Sequence, residues 1–256
     1  MELRKRMRKK LGVGLLLALL ATCSLAQSDA KLIRLATLEW PPFTGLLLPK
    51  EGVSTYIAST VAKAAGFRLL TASFEWTKAV EKGEKSPEFE GYFPEYFSQE
   101  REAACHLSQS IGTSVLGIAT LKSAPIKWAK LSDLAAYRIG VVDGYLNGEE
   151  FDAAIKDKRQ AVELGTSDAT NIAKLRAGKI RGIVVDKNVL DYTLYKLKDS
   201  AGVVFNSRPI ARLTLHVCFK RTSAGQAMRD AFDAALKQTD LVKLEEAYFE
   251  QMFSVR

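Results

Sequence analysis

Short strand-like and helix-like segments take turns along most of the chain. Lys31–Glu39 alternates apolar and other residues, as a half-buried strand does. The prolines of Trp40-Pro41-Pro42-Phe43 must end that strand, because proline removes ladder donors. Gly52–Ala65 then carries apolar residues at helical spacing, with Gly66 where a C-terminal cap is expected. These first segments predict a strand, a turn and a helix.

The same alternation continues towards the C-terminus. Further strands are predicted at Phe67–Phe74, Tyr137–Val142, Ala161–Leu164, Ile180–Val185 and Arg212–Arg221. Helices are predicted at Trp76–Gly83, Lys130–Ala136, Asn147–Lys156, from a cap at Ser167 to Ala177, after Asp186, and at Ala224–Lys237 and Leu241–Phe253. Strands rich in Val and Ile between helices indicate βαβ units with parallel sheets, so the sequence predicts an α/β protein.

The N-terminus has the pattern of a secretory signal peptide. Six basic residues precede the apolar run Leu11–Leu20, and small residues lead to Ala26, where we expect cleavage. The run is too short to span a bilayer comfortably, although an uncleaved anchor is the competing interpretation. Lipidation at Cys23 is a less favoured alternative, because Thr22 is unusual before a lipid-bearing cysteine. We therefore expect a periplasmic protein.

Net charge and cysteine content limit the classes of function that the sequence allows. Cleavage after Ala26 removes six basic residues and one acidic residue, which lowers the net charge from +8 to +3. No clustered basic stretch remains, so nucleic-acid binding is disfavoured. Cys105 and Cys218 remain in a compartment that permits a disulfide, and the sequence leaves open whether they form one or are two buried thiols.

Enzyme chemistry has little support in the sequence. His106 and His216 lack a second ligand at metal-binding spacing, so structural roles are favoured for both. The chain contains no phosphate-binding loop, dinucleotide fingerprint or nucleophile elbow.

Four loops follow predicted strands, where open α/β sheets bind ligands. They are the turns after Glu39 and Val142, the position of Asp186, and the stretch Gly91–Arg101. Trp40 and Phe43 flank a rigid turn and offer aromatic walls, unless they pack into the core.

Two charged residues in these loops have more than one possible role. An arginine such as Arg101 can grip a carboxylate through two parallel hydrogen bonds, or pair with a neighbouring glutamate on the surface. Asp186 at a buried strand end needs a cationic or donor partner, and a ligand ammonium is one option. A role as the N-cap of the following helix competes with this one and could coexist with it.

The order of four segments resembles the family 3 extracellular solute-binding proteins, the polar amino-acid-binding periplasmic proteins of ABC importers. The segments are IRLATLEWPPF at 33–43, FPEYFSQER at 93–101, YRIGVVDGYLN at 137–147 and GIVVDKNVLDYTL at 182–194. The resemblance covers residues 31–253. It implies a two-lobe periplasmic-binding-protein fold (type II), with mixed, mostly parallel sheets and two hinge crossings near 117–122 and 211–215. The implied lobes are 31–118 with 213–256, and 119–212.

The resemblance also assigns roles to the site residues. It implies that Arg101 binds an α-carboxylate, that Asp186 binds an α-ammonium, and that Trp40 and Phe43 form an aromatic wall. Two departures stand against amino-acid specificity. Pro94-Glu95-Tyr96 replaces a Gly-Ile-Thr-like segment, and Gly144-Tyr145-Leu146 replaces Gly-Thr-Thr, so that hydroxyl donors are lost and bulk is gained.

We therefore expect a non-enzymatic solute-binding protein that captures a small polar ligand, amino-acid-like or carboxylate-bearing. The expected ligand residues are Trp40, Phe43, Tyr96, Arg101, Tyr145 and Asp186. The expected partners are that ligand and an ABC permease, and we expect a monomer without cofactor or metal.

Two alternatives remain open. One is a periplasmic enzyme such as a dehydratase on the same fold, with Glu95, Asp143 or Asp186 as acid or base. The other is a sensory or interaction module that no longer binds ligand. Tyr96 and Tyr145 buried in a filled, dry cleft would favour that module, and a roomy wet cleft would disfavour it.

Overall fold

The computed structural model describes residues 30–198 and 202–254. The predicted signal peptide at 1–26, with Cys23, lies outside the described residues. Within those two ranges, no helix combines the length and hydrophobicity that crossing a bilayer requires.

Strands and helices alternate as the sequence pattern predicts. The strands are β1 (Lys31–Thr37), β2 (Phe67–Ser73), β3 (Gly91–Tyr96), β4 (His106–Leu107), β5 (Gly112–Leu121), β6 (Ile139–Val142), β7 (Val162–Gly165), β8 (Gly182–Asp186) and β9 (Val203–Phe219). The helices are α1 (Val53–Ala64), α2 (Trp76–Lys85), α3 (Gln99–Ala104), α4 (Glu149–Lys156), α5 (Asp168–Arg176), α6 (Lys187–Lys196), α7 (Ser223–Leu236) and α8 (Leu241–Ser254). The short helix predicted at Lys130–Ala136 is a 3-10 helix over Leu131–Ala136.

Two parallel groups of strands are joined by antiparallel pairs. The hydrogen-bonded order is β2-β1-β3-β9-β5-β8-β6-β7, and β4 pairs with β9 beside this path. β1 is parallel to β2 and β3, and β6 is parallel to β7 and β8. β9 runs antiparallel to both β3 and β5, and β5 runs antiparallel to β8. β5 and β9 are thus the two segments that connect one parallel group to the other.

The connecting strands are longer than the sequence pattern indicates. Alternation predicts a strand only from Arg212, but β9 begins at Val203. The apolar pattern predicts no strand at β5. The start predicted for β9 was therefore wrong. The early part of β9 lacks an alternating apolar pattern because it contains Pro209 and several polar residues, and much of that part is not buried.

The two C-terminal helices return to the first parallel group. Both α7 and α8 pack against α1. Tyr248 of α8 is fully buried and stacks on Tyr56 of α1, with ring centroids 6.4 Å apart. This packing accounts for the absence of a strand after the last two helices, because they cover a sheet that is already complete.

Cys105 and Cys218 form a disulfide. Their Cα atoms are 5.6 Å apart, and the bond ties the residue that ends α3 to β9. Both cysteines are buried. The structure thus resolves the alternative that the sequence left open in favour of a cross-link.

Candidate functional site

The turn after β1 places two aromatic rings in a fixed stack. The backbone N–H of Thr44 and that of Phe43 both donate to the carbonyl of Trp40, at 3.1 and 2.9 Å. The rings of Trp40 and Phe43 stack with centroids 4.4 Å apart. Both side chains are buried in the core, so the ring of Phe43 packs against the indole of Trp40 there.

Four aromatic residues meet at the carboxyl ends of the strands. Tyr96 and Tyr145 each present a ring edge-on to Trp40, at 6.0 and 6.3 Å between centroids. Trp76, at the start of α2, packs edge-on against Tyr145 at 6.1 Å. Edge-to-face contacts of this kind add to the stabilisation that burial alone provides. We call Trp40, Trp76, Tyr96 and Tyr145 the aromatic box.

Two indole N–H groups cross from the first parallel group to the second. Trp40 Nε1 donates to Asp168 Oδ2 at 3.1 Å, and Trp76 Nε1 donates to the carbonyl of Gly144 at 3.2 Å. Asp168 is the first residue of α5, whose N-cap Ser167 accepts a hydrogen bond from Thr170 N at 3.2 Å, as the sequence predicts. The two strand groups are therefore held together across the aromatic box.

The box borders a partly open cavity of about 20 Å³, lined by Leu38, Trp40, Trp76, Pro94, Glu95, Tyr96, Tyr145 and Leu146. A cavity of this size has room for one water molecule. An open groove of about 600 Å³ lies beside it and shares Leu38, Trp76 and Tyr145 with it. Tyr145, Leu38 and Trp76 therefore border both spaces, which we call the inner cavity and the outer groove.

Arg101 contacts a carboxylate of its own chain. Ser98 caps α3 by accepting a hydrogen bond from Arg101 N at 3.1 Å. The Arg101 Nε atom lies 3.0 Å from Glu95 Oε2, and Glu95 is 2% exposed. Burial raises the pKa of Glu95 to about 7, although the Arg101 charge acts in the opposite direction.

Asp186 is the N-cap of α6 and is fully supplied with donors. Its Oδ1 atom accepts from the backbone N–H of Asn188 and of Val189 at 2.7 and 3.1 Å. Its Oδ2 atom accepts from Ser114 Oγ and Val115 N at 2.6 and 2.9 Å. The capping role that the sequence left open for Asp186 is therefore present. Burial nevertheless raises the pKa of its carboxyl.

A hydrogen-bond chain connects Asp186 to the aromatic box. Tyr96 Oη and Ser114 Oγ lie 2.8 Å apart. Because Ser114 gives its single hydroxyl proton to Asp186, the Tyr96 hydroxyl must donate to Ser114. The Asp186 carboxylate thereby fixes the orientation of the Tyr96 ring.

Asp168 is a buried acid that the sequence analysis did not select. Burial raises its pKa to about 7, with the nearby Asp186 charge adding to the increase and the Trp40 hydrogen bond opposing it. The strand-end rule that selected the other loops applies equally after β7, where Asp168 lies three residues beyond Gly165. Applying the rule to that loop would have found it.

The structure divides the six predicted ligand residues into two groups. Trp40, Tyr96 and Tyr145 line the inner cavity, whereas Phe43, Arg101 and Asp186 do not. Glu95 and Trp76 line it and were not among the six.

Among residues 30–198 and 202–254, no group of three or more His, Cys, Asp and Glu side chains is arranged to hold a metal ion. His216 is 8% exposed and bonds through its two ring nitrogens to the Ser108 carbonyl and the Thr214 hydroxyl, each at 2.7 Å. The favoured structural role of His216 agrees with these contacts.

These features together define a two-lobe periplasmic-binding-protein fold of type II. The ligand-binding core of GluR0 from Nostoc punctiforme, in complex with L-glutamate, is similar with a TM-score of 0.71 and 16% identity, over 86% of this chain and 99% of that chain. The substrate-binding protein of an amino acid ABC transporter is similar with a TM-score of 0.68 and 16% identity, over 87% and 99%. The structural neighbours are thus amino-acid-binding proteins of the family 3 type, which confirms the fold that the resemblance implied.

A third neighbour has a link to an enzyme. The ancestral amino-acid-binding protein AncCDT-1, a precursor of cyclohexadienyl dehydratase, is similar with a TM-score of 0.68 and 17% identity, over 87% of this chain and 95% of that chain. No protein-family model and no curated protein matches the sequence. At these identities the likeness establishes the fold.

Proposed function

We propose that the chain is an exported solute-binding protein that captures a small polar solute between two lobes and delivers it to an ABC permease. The observation that carries the proposal is the hydrogen bond from Trp40 to Asp168 across the aromatic box, because it joins the two strand groups at a cavity. The proposed lobes are 31–118 with 213–256, and 119–212. The charged signal sequence at the N-terminus supports export to the periplasm.

Capture requires the lobes to separate and close again. Ligand pockets in proteins usually measure about 300 Å³ or more, which exceeds the inner cavity many times. Hinge closure is the established way for such folds to enclose a solute. Opening would release both indole hydrogen bonds and move Tyr145 away from Trp40 and Trp76, so that the cavity and the outer groove become one space.

The proposal is tested with the mature chain starting at Gln27. Calorimetry against amino acids, amines, organic acids and sugars should find a ligand, and small-angle scattering should show a more compact particle with it. Trp40→Ala should weaken the binding by about tenfold or more, a change of about 1.4 kcal/mol. Leu47→Ala is the matched control, because that side chain is 99% exposed. No binding by any member of the panel would overturn the proposal.

One observation favours a second candidate, a sensory or interaction module that binds no small molecule. Tyr96 is buried, Tyr145 is partly buried, and the space that they border has room for only one water molecule. Such a module would keep one compact shape by small-angle scattering at every ligand concentration. Scattering that shows an opened form without ligand would instead favour solute capture.

A catalytic role would rest on Glu95, because its pKa of about 7 suits an acid or base and it borders the inner cavity. One structural neighbour is a precursor of cyclohexadienyl dehydratase, so dehydration is the reaction to test. Incubation of a bound ligand for several hours distinguishes the roles. Recovery of intact ligand supports binding alone, and a dehydrated product supports catalysis.

A further inference from the structure

Arg101 already has an internal carboxylate partner. The Arg101 Nε atom is 3.0 Å from Glu95 Oε2, and the Glu95 Oε1 atom accepts from Tyr96 N at 2.8 Å. Arginine grips a ligand carboxylate best when its N–H fork is free for two parallel hydrogen bonds. A ligand carboxylate would have to displace Glu95 or lie beside its negative charge.

Glu95 also faces the cavity. It lines the inner cavity, and its Oε2 atom lies 3.0 Å from Arg101 Nε without a well-aligned hydrogen bond from any residue in the described ranges. A carboxylate can accept several hydrogen bonds, so a further donor from a bound molecule would be favourable there.

Two more buried carboxylates lie near the box without a positive partner. Within the described part of the chain, neither Asp168 nor Asp186 forms an ion pair. Both act electrostatically on Tyr96, together with Glu95. Arg101 balances one of these three acids, which leaves an excess of two negative charges when all three are ionised. An uncompensated buried charge attracts a cation strongly, because the surrounding dielectric is low.

The outer groove has the same sign of charge. Its lining includes the exposed carboxylates of Glu39 and Glu75, and none of the described residues that line it is basic. The remaining wall is mainly apolar and includes Leu46, Phe74 and Trp76. An acid-rimmed groove with apolar walls suits a cation that carries an apolar body, and the aromatic rings of the box offer cation–π contacts.

We propose that this cleft selects an organic amine that carries no carboxylate, because Glu95 lines the cavity whereas Arg101 does not, and Arg101 is paired with Glu95 through its Nε atom. The ammonium group lies inside the aromatic box near Glu95 and Asp168, and the apolar body extends past Tyr145 into the outer groove. This inference rests on the proposed solute-binding function and narrows its ligand to one chemical class. Glu95 is the residue that sets the specificity, since it repels a second carboxylate.

Matched ligand pairs test this specificity in the unaltered mature protein. Agmatine and arginine, cadaverine and lysine, and tyramine and tyrosine each differ only by a carboxylate. Calorimetry at pH 8 should show that at least one amine binds roughly tenfold or more tightly than its amino acid, since an unpaired like charge is costly in a buried site. If ligands from these pairs bind but no amine exceeds its amino acid in affinity, the inference is overturned and solute capture stands.

The Glu95→Gln variant tests the proposed cause. It keeps the size of the side chain, removes its charge and frees the guanidinium of Arg101. The ratio of amine to amino-acid affinity should fall by about tenfold or more, because the amine loses an attraction and the carboxylate gains a partner. An unchanged ratio would show that Glu95 does not set the specificity. Glu88→Gln, outside both cavity walls, is the matched control and should leave the ratio unchanged.

The two proposals fail differently. If only neutral or anionic members of the full panel bind, the amine class is wrong and solute capture stands. If no compound of any charge binds, while thermal melting shows a folded protein, both are overturned.

Discussion

The indole nitrogen of Trp40 lies 3.1 Å from the Oδ2 atom of Asp168, and both side chains are buried. Trp40 follows β1 and Asp168 begins α5, so the hydrogen bond joins elements that are 128 residues apart in the sequence. The acceptor is an acid whose pKa is raised to about 7. The strength of this cross-cleft contact therefore depends on the protonation of Asp168.

Trp40→Phe should destabilise the protein more than Trp76→Phe does. Each variant replaces an indole by a benzyl ring, but the first leaves the buried Asp168 carboxylate without its donor and the second removes the donor to the Gly144 carbonyl. We expect a loss of about 1–3 kcal/mol in the free energy of unfolding from the unsatisfied carboxylate, beyond the loss in Trp76→Phe. Urea denaturation at pH 8 measures both, and equal losses would contradict the prediction.

Stability should increase as the pH falls from 8 to 5. Burial raises the pKa values of Asp168 and Glu95 to about 7, whereas their unfolded values are about 4. The native protein thus binds more protons than the unfolded chain across this window, so stability is lost as the pH rises towards 7. Melting temperatures between pH 5 and pH 8 measure the effect.

Asp168→Asn isolates one of the two acids in that pH dependence. The variant keeps an acceptor for Trp40 but cannot ionise. Its melting temperature minus that of the unaltered protein should therefore become more positive as the pH rises from 5 to 8. Asp157→Asn, at an exposed position, should show no such trend. If the melting-temperature difference between Asp168→Asn and the unaltered protein does not change with pH, the raised pKa of Asp168 is contradicted.

Asp186→Ala and Asp186→Asn separate capping from charge. Alanine removes the acceptor of four hydrogen bonds and should cost about 1–2 kcal/mol for the cap alone, with a further loss for the unpaired Ser114 and Val115 donors. Asparagine is also a good N-cap and should cost less. Equal losses in chemical denaturation would show that the negative charge, and not the cap, is what α6 requires.

Loss of the Cys105–Cys218 disulfide should lower the free energy of unfolding by about 2–5 kcal/mol, because the bond closes a long loop in the unfolded chain. The two cysteines are separated by 113 residues. The double variant Cys105→Ala, Cys218→Ala should match the reduced protein in urea denaturation. Reducing agent should leave the double variant unchanged, and any further destabilisation there would point to an effect on another group.

The order of strands and helices could be predicted because most elements have a periodic apolar pattern and recognisable ends. Gly66 with φ of +83° and the Ser167 cap are examples of ends that the sequence indicates correctly. The segment from Val203 to Pro209 could not be predicted in this way. Its strand is held by pairing with β5, which is distant in sequence, and not by a buried face of its own.

The loops of the candidate site could be predicted, but the contacts inside it could not. The strand-end rule leads to Trp40, Tyr145 and Asp186 without any knowledge of their partners. The pairing of Arg101 with Glu95 depends on how the end of β3 and the start of α3 come together, which residue types do not reveal. A ligand-binding role transferred from a family resemblance is therefore least secure where the chain has a charged residue beside the site in the place of an uncharged one.

The join between β5 and β9 determines how an opening motion would be distributed. The strand register shifts on both sides of Gly117, which is opposite Pro209, a residue with no N–H to give to the ladder. The ring of Phe205 is so close that a Cβ atom at position 117 would lie 2.4 Å from its Cζ atom. We therefore expect the proposed opening to turn the backbone at this interruption of the β5–β9 ladder. Release of the two indole hydrogen bonds in the aromatic box would then be the change that permits the turn.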